Sequence, residues 1–209
     1  TSPQNIASEL VSVLSERYQD ALVKTAGGYV NVFLDKRSVC AQVASDIIGA
    51  GEEYGKQDLF SSQKIMIEFS CPNTNKPLHL GHMRNNILGE SVSRLFSFLG
   101  ADVCKVNLIN DRGIHICKSM LAYKELGKGE TPEFVGKKSD HFVGDYYVKF
   151  NQWASGDESA EEKAREMLRQ WENGDEEVLS LWKKMNKWAI DGINETYERT
   201  GISFDRVYY

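Results

Sequence analysis

The stretch that decides the fold is residues 65–82, which reads IMIEFSCPNTNKPLHLGH. Its first five residues form an apolar run of strand length, interrupted only by Glu68, and a polar loop follows. Over residues 82–99 apolar side chains recur at helical spacing, and Gly100 ends the pattern. A second apolar run comes next, at residues 103–109. This order of strand, loop, helix and strand predicts a βαβ unit with a parallel strand pair.

Downstream of this unit the pattern becomes helical. Residues 114–126 predict a helix, and a Gly-, Lys- and Glu-rich connection follows at residues 127–138. Residues 141–150 are aromatic-rich, and further helices are predicted at residues 159–171 and 175–200. We therefore expect a mostly helical insertion. A parallel sheet needs more than two strands, and the pattern hardly supplies others.

Upstream, the chain predicts a small α/β module of about fifty residues, below the size that usually folds alone. Ser2-Pro3 suits a helix start, and the glycine pair Gly27-Gly28 precedes a strand at residues 29–34. A second helix carries Val39, Val43 and Ile47 at helical spacing and ends near Gly49 and Gly51. Residues 51–63 then read as a polar linker.

Composition bounds the class of protein. The 209 residues are 41% hydrophobic and 26% charged, which is typical of an ordinary globular chain, and no apolar run approaches bilayer length. No secretory signal pattern opens the sequence. The four cysteines lie far apart without metal-ribbon spacing, so a reduced, cytoplasmic protein is expected. A net charge of -5 argues against a surface broadly adapted to nucleic acid, but leaves room for a local basic patch.

The chemistry lies in the loop between the first strand and the helix. Open α/β folds bind ligands at the carboxyl ends of their strands, and a helix start attracts anions. His79 and His82 flank Gly81 there, and Lys76 adds a positive charge. Imidazole N–H groups can donate to phosphate oxygens. The spacing alone is weak, because two such histidines can equally be metal ligands or surface residues, although no third ligand is adjacent. Their placement after a strand favours nucleotide binding.

Residues 67–90, IEFSCPNTNKPLHLGHMRNNILGE, closely resemble the first motif of class I arginyl-tRNA synthetases. The similarity continues through residues 106–113, VNLINDRG, and more weakly through residues 140–147. Residues 26–31, AGGYVN, resemble the family's extra tRNA-contacting domain. The resemblance implies an N-terminal fragment of such an enzyme.

The domain organisation implied is an α/β chain in three parts. Residues 1–60 would be part of the N-terminal tRNA-contacting α/β module. Residues 61–126 would be the first half of a Rossmann-like nucleotide-binding domain with a parallel sheet. Residues 127–209 would be the mostly helical connective insertion.

The resemblance also implies residue roles. Catalytic roles would fall to His79, His82 and Lys76. ATP would be contacted by the residues of the loop and helix start, namely Pro72, Asn75, Lys76, His79, Leu80, Gly81 and His82. Arginine would be contacted by Glu68, Cys71, Pro72, Asn73 and His82, with Glu68 facing the guanidinium and the backbone around Cys71 gripping the amino and carboxylate ends. No metal site on the protein is implied, and Mg²⁺ would accompany ATP.

A role for Glu68 in binding a guanidinium also follows from physical reasoning that does not depend on the resemblance. It lies at the end of a strand expected to be buried on both faces, where a lone carboxylate is costly unless paired. A guanidinium offers bidentate pairing. The alternative is an internal salt bridge, for instance to Arg84 or Arg112.

The sequence departs from the family in places. Cys71 stands where Ser is common, and Arg112 where Trp is common, so the packing of that turn must differ. For His115, and for His141 and Asp145, structural roles are expected. Helix packing is expected of the four tryptophans, which are Trp153, Trp171, Trp182 and Trp188.

The expected activity is ATP-dependent formation of arginyl-adenylate from L-arginine, followed by transfer to tRNA(Arg), by a monomer that does not involve a membrane. The 209 residues alone are expected to bind ATP weakly and not to aminoacylate. Two other classes stay open, a small nucleotidylyltransferase and a non-catalytic tRNA-binding paralogue. Cysteine and glutamate synthetases fit Glu68 and Lys76 poorly.

Overall fold

The computed structural model describes residues 2–19 and 21–209 of the chain. The chain divides into two compact units, Thr1–Lys56 and Gln57–Tyr209. The division into three domains at residues 60 and 126 stays a prediction.

The first unit contains the helix α1 (Pro3–Arg17), the strands β1 (Ala21–Ala26) and β2 (Tyr29–Leu34), and the helix α2 (Lys36–Ala50). The strands pair antiparallel around a glycine turn, and α1 begins at a serine cap, as the sequence suggests. Strand β1 was not predicted, because alanine and lysine are poor strand formers and its pairing with β2 defines it.

Helix α2 has an N-cap at Asp35, whose Oδ2 accepts the Ser38 N–H at 2.8 Å. Its predicted apolar stripe is nevertheless exposed, with Val39, Val43 and Ile47 each more than 40% accessible. Helical periodicity therefore identified the helix but not a buried face within this unit.

The second unit holds a parallel sheet of three strands in the order β3 (Lys64–Glu68), β4 (Asp102–Leu108) and β5 (Arg206–Tyr208). The predicted parallel pair is confirmed by the pairing of β3 with β4. The expectation that the chain hardly supplies a further strand is wrong, because β5 pairs with β4 at the carboxyl side. Three residues carry too little periodicity to be recognised, and only the neighbouring strand makes them β structure.

Five helices complete this unit: α3 (Leu80–Phe98), α4 (Ile114–Leu126), α5 (Ser139–Ala154), α6 (Ser159–Glu172) and α7 (Glu176–Thr200). Helices α4 to α7 enclose the larger core, and the predicted inner face of α7 is confirmed by its buried residues Val178, Met185, Ala189 and Ile193. The aromatic-rich segment, for which no helix was predicted, forms α5. None of the helices in residues 2–19 and 21–209 is both long and apolar enough to cross a bilayer.

The sheet is less covered than the sequence suggested. Met66 is 66% exposed and Glu68 is exposed, so the expectation that this strand is buried on both faces is wrong. The physical reason is position, since β3 is an edge strand of the described sheet. Helix α3 buries small and polar residues instead of its apolar stripe, namely Asn86, Gly89 and Ser93.

Candidate active site

The site is built on two loops that leave the carboxyl edge of the sheet. One joins β3 to α3, and the other joins β4 to α4. They meet in an isolated parallel bridge between Asn73 and Asn110. The Asn110 N–H donates to the Pro72 carbonyl at 2.9 Å, and the Asn110 Nδ2 donates to the Asn73 Oδ1 at 2.7 Å. The loop that carries the predicted ligand residues is therefore tied to the sheet beyond the end of the strands.

Two histidine side chains cap the start of α3. His79 is the N-cap, and its Nδ1 accepts the Gly81 N–H at 3.1 Å. The Nδ1 of His82 accepts the His79 N–H at 3.2 Å, and the ring centroids lie 3.9 Å apart. Because each Nδ1 is an acceptor, each neutral ring carries its proton on Nε2. Both rings thus retain one N–H donor that the cap does not use.

The charge state of His82 follows from its surroundings. Burial, with the neighbouring His79 and the Lys76 ammonium adding to it, lowers the pKa of His82 below its ordinary value. His82 is therefore neutral near pH 7. No hydrogen bond or ion pair joins the Lys76 ammonium to another residue in the described part of the chain, which leaves it available to an anion.

Gly81 has a visible structural role. A β-carbon at this position would lie 2.9 Å from the Cε1 and 3.0 Å from the Nδ1 of His79. Glycine is thus required for the His79 ring to fold over the helix start. The Gly81 N–H lies in the first turn of the helix, where backbone N–H groups have no acceptor within the helix. It donates to the His79 Nδ1 and is therefore not available to a ligand.

Glu68 is exposed and has no cationic partner among residues 2–19 and 21–209. Its Oε1 accepts the Cys71 Sγ–H at 3.0 Å. The predicted alternative of an internal salt bridge is not formed within the part of the chain that the structure describes. There the Arg112 Nη2 pairs with the Glu172 Oε1 at 2.6 Å, and Arg84 makes no ion pair. Burial, together with the Glu68 carboxylate, raises the pKa of the Cys71 thiol, which keeps it protonated and donating. The carboxylate is free to receive a cationic ligand.

A buried polar network lies directly after Glu68. The Ser70 Oγ and the Tyr197 hydroxyl are 2.5 Å apart, and the Asn107 Nδ2 donates to the same hydroxyl at 3.2 Å. The Cys71 backbone N–H donates to the Asn107 Oδ1 at 3.1 Å, so the Cys71 N–H is not available to a ligand. Neither Asn107 nor Tyr197 was a predicted site residue. A polar residue inside an apolar strand was the signal for Asn107, and no local pattern points to Tyr197.

The remaining predicted residues differ in accessibility. Leu80 is 87% exposed at the helix start, whereas Pro72 and Asn75 are buried. No described residue donates a hydrogen bond to the Asn75 Oδ1. A cavity of about 80 Å³ lies between the two loops and is lined by Asn73, Asn75, Asn110, Arg112, Gly113, His115 and Ile116. Larger concavities, of about 610 and 540 Å³, lie along β3 and β4 and beside the end of α7, and neither includes a predicted site residue.

The helical insertion holds the second loop. The Trp182 Nε1–H donates to the Asp111 carbonyl at 2.7 Å. The Arg112 guanidinium lies 5.3 Å from the centroid of the Trp171 ring, which accounts for the packing of arginine at this turn. The His115 Nδ1 lies 3.1 Å from the Tyr147 hydroxyl, and the structural role of His115 stays a prediction. The packing expected of the tryptophans is confirmed, since all four border the larger core.

No group of three or more His, Cys, Asp or Glu side chains within the described residues is arranged to hold a metal ion. The arrangement offers instead two imidazole N–H donors, a free ammonium and, at the other end of the loop, an exposed carboxylate. It can therefore bind a polyanion beside a cation.

Several known proteins are similar to this chain. The family model described as the catalytic domain of class I tRNA synthetases (R) matches residues 43–207. The chain is 53% identical to an arginine–tRNA ligase of Treponema denticola, over 100% of the chain and 36% of that protein. It is 47% identical to an arginine–tRNA ligase of Borrelia turicatae, over 97% of the chain and 34% of that protein. The chain thus spans about a third of the length of the curated relatives it matches.

Solved structures show the same fold. The arginyl-tRNA synthetase of Thermus thermophilus matches with a TM-score of 0.66 at 23% identity, covering 98% of this chain and 32% of that one. The Plasmodium falciparum arginyl-tRNA synthetase matches with a TM-score of 0.56 at 19% identity, covering 98% and 35%. The α/β architecture with its parallel sheet is therefore that of the synthetase catalytic domain.

Proposed function

This chain belongs to the family of class I tRNA synthetases (R), and on that premise we propose that it supplies the first part of the active site of an arginine–tRNA ligase. The complete protein would use ATP to convert L-arginine to arginyl-adenylate and then transfer the arginyl group to tRNA(Arg). The single observation that carries this proposal is the interlocked pair of histidines at the start of α3, on the loop that also carries the Lys76 ammonium, which has no partner among the described residues, and that follows the exposed Glu68 carboxylate at the end of β3.

The ATP end of the site would be the helix start. The caps fix the proton of each neutral imidazole on Nε2, so two N–H groups can donate to phosphate oxygens without any rearrangement. Lys76 adds charge that the loop does not neutralise. Leu80 and Gly81 would lie beside the nucleotide. Pro72 and Asn75, which are buried, would support the loop from below.

The arginine end would be the carboxyl end of β3. The Glu68 carboxylate can accept two N–H groups of a guanidinium in parallel. The Cys71 thiol donates to its Oε1 and restrains it. Asn73, held by Asn110 at the other side of the turn, would contact the amino and carboxylate end of the substrate together with His82.

The chemistry then rests on positioning and charge. The arginine carboxylate attacks the α-phosphate of ATP, pyrophosphate leaves, and negative charge on the phosphate oxygens is stabilised by the Nε2–H groups and Lys76. The terminal ribose hydroxyl of the tRNA next attacks the arginyl carbonyl, and AMP leaves. Mg²⁺ would enter with the triphosphate, and we assign no step to a metal held by the described residues, which offer no such site.

We also propose that the protein acts as a monomer in the cytoplasm. The four cysteines are free, which fits a reducing compartment. Sedimentation of the purified protein at several concentrations would reveal a second copy.

Arginine-dependent exchange of pyrophosphate into ATP tests the proposal in the complete gene product that contains this chain, with tRNA present. We expect exchange with arginine and not with citrulline or lysine. We also expect His79→Ala to lower kcat/KM by roughly 100-fold or more, the scale of one lost oxyanion donor. Ser91→Ala, an exposed change on the same helix, is the matched control. Pyrophosphate exchange that proceeds at the same rate without arginine would refute the proposal and favour a nucleotidylyltransferase.

A further inference from the structure

The turn after β3 is strained. Ser70 and Cys71 have φ values of 78° and 49°, which lie in the left-handed region of the backbone. Residues other than glycine rarely adopt this conformation. Two consecutive residues in this conformation persist only where their surroundings hold them. The turn also separates Glu68 from Asn73, the residues proposed to contact the two ends of arginine. Its conformation therefore sets how these side chains face one another.

The group that holds the turn comes from the far end of the helical insertion. Tyr197, in the last turns of α7, is 127 residues from Ser70 in sequence, and their side-chain oxygens are 2.5 Å apart. Asn107 links the same hydroxyl to the Cys71 N–H. Ser70, Asn107 and Tyr197 are 3%, 1% and 5% exposed, so water does not replace these bonds.

The Tyr197 ring is itself fixed. Its centroid lies 5.3 Å from that of Phe204, in an edge-on contact, and Phe204 lies 4.7 Å from Phe69. Phe69 is the residue between Glu68 and the strained turn. The hydroxyl is thus presented from a rigid cluster and not from a mobile side chain.

We propose that Tyr197 is a positioning residue for the amino-acid end of the active site, acting through Ser70 and Asn107. Its hydroxyl keeps the turn in the left-handed conformation, in which the Cys71 thiol reaches Glu68 at 3.0 Å. Loss of the hydroxyl lets the turn relax, so Glu68 and Asn73 no longer match one arginine. This inference rests on the proposed function, because it assigns Tyr197 to the arginine end of that site.

The test is Tyr197→Phe in the complete gene product, which keeps the ring and removes only the hydroxyl. In the pyrophosphate exchange assay we expect the KM for arginine to rise about fivefold to tenfold while the KM for ATP changes less than about twofold. Tyr146→Phe is the matched control. Tyr146 is 1% exposed, lies in α5, and donates its hydroxyl to the Glu130 Oε2 at 3.3 Å. It should leave both KM values unchanged.

Ser70→Ala removes the other partner of the same bond. It should raise the KM for arginine by a similar factor, and the double variant should be no worse than either single one, because both remove one interaction. If Tyr197→Phe does not fold, Ser70→Ala decides alone.

The outcomes separate the two claims. A wild-type protein without arginine-dependent exchange overturns the proposed function. An active wild type whose variants keep the arginine KM overturns the positioning role. So does a parallel rise of both KM values with a lower melting temperature, which would mean that Tyr197 only stabilises the fold.

Discussion

Phe69 lies so close to Gly89 that a β-carbon on Gly89 would come within 2.2 Å of the Phe69 Cγ. Helix α3 can approach the end of β3 only because this position has no side chain. Phe69 is 2% exposed and belongs to the smaller core of the second unit, so it cannot move aside without opening that core.

We therefore expect Gly89→Ala to reduce the free energy of unfolding by roughly 1–3 kcal/mol, the usual cost of overpacking. Thermal unfolding of the 209-residue chain, followed by the fluorescence of its tryptophans, measures this. Gly156→Ala is the control, since the nearest atom to its β-carbon would be the Trp153 carbonyl oxygen at 3.9 Å. Equal melting temperatures for the two variants would contradict the clash.

Asp140 and Lys138 form a buried ion pair at the start of α5. Asp140 is 1% exposed, and its carboxylate oxygens lie 2.9 and 2.8 Å from the Lys138 Nζ. Lys138 also donates to the Gly192 carbonyl and to the Thr196 Oγ1 on α7. We expect Asp140→Ala to cost about 3 kcal/mol, because the partly buried ammonium loses its carboxylate partner and keeps only neutral acceptors.

The exposed pair Lys187–Asp191 has a similar distance, 2.7 Å, and is the matched control. Asp191→Ala should change stability by less than about 1 kcal/mol. Urea unfolding of both variants decides, and a comparable loss for the two would show that burial does not matter here.

The sequence predicted the elements whose signals are local. The parallel pair, α3 and α7 follow from apolar spacing and glycine stops. Helix α5 was missed although Phe142, Tyr146 and Phe150 recur at four-residue intervals, because aromatic residues favour strands in isolation. Their burial against α4 and α7 decides in favour of the helix.

The residues of the candidate site also differ in whether the sequence alone could reveal them. The histidine pair could be found from sequence, since the cap lies within four residues. The Tyr197 contact could not, because 127 residues separate it from Ser70. The exposure of Glu68 was also beyond the sequence, since burial of a strand depends on which strands flank it.

The pH dependence of the helix start follows from the lowered pKa of His82. A proton on its Nδ1 removes the acceptor of the His79 N–H. The contribution of neutral His82 to stability is therefore complete above its ordinary value of 6.5 and is lost as the pH falls through the lower folded-state value. An NMR titration should place His82 below 6.5. Lys76→Ala should raise its pKa but leave it below 6.5, because burial is the larger cause. Titration at or above 6.5 in the unmodified chain would contradict the cap.

Gly81→Ala tests the geometry of the phosphate-binding end. The added β-carbon would lie 2.9 Å from the His79 Cε1, so the ring must turn away and lose its bond to the residue 81 N–H. We expect ATP to bind about tenfold more weakly by calorimetry of the complete gene product. Ser91→Ala should leave the affinity unchanged. Unaltered ATP binding in Gly81→Ala would mean that the His79 ring does not contact the nucleotide.

Glu68→Gln tests the recognition of the guanidinium. The change keeps the shape of the side chain and removes its charge, so a charge-assisted pair becomes a neutral one. We expect the KM for arginine to rise roughly 10- to 100-fold, with the KM for ATP unchanged. Glu125→Gln, which removes an exposed charge from α4, controls for net charge.

The sharper readout of Glu68→Gln is discrimination against citrulline, the neutral isostere of arginine. A carboxylate disfavours citrulline because the urea group of citrulline carries no positive charge. A glutamine amide can instead donate a hydrogen bond to the urea oxygen. The ratio of kcat/KM for arginine over citrulline should therefore fall in Glu68→Gln and stay at the wild-type value in Glu125→Gln. If the ratio is the same in all three proteins, the carboxylate at the end of β3 does not read the guanidinium, and another residue must.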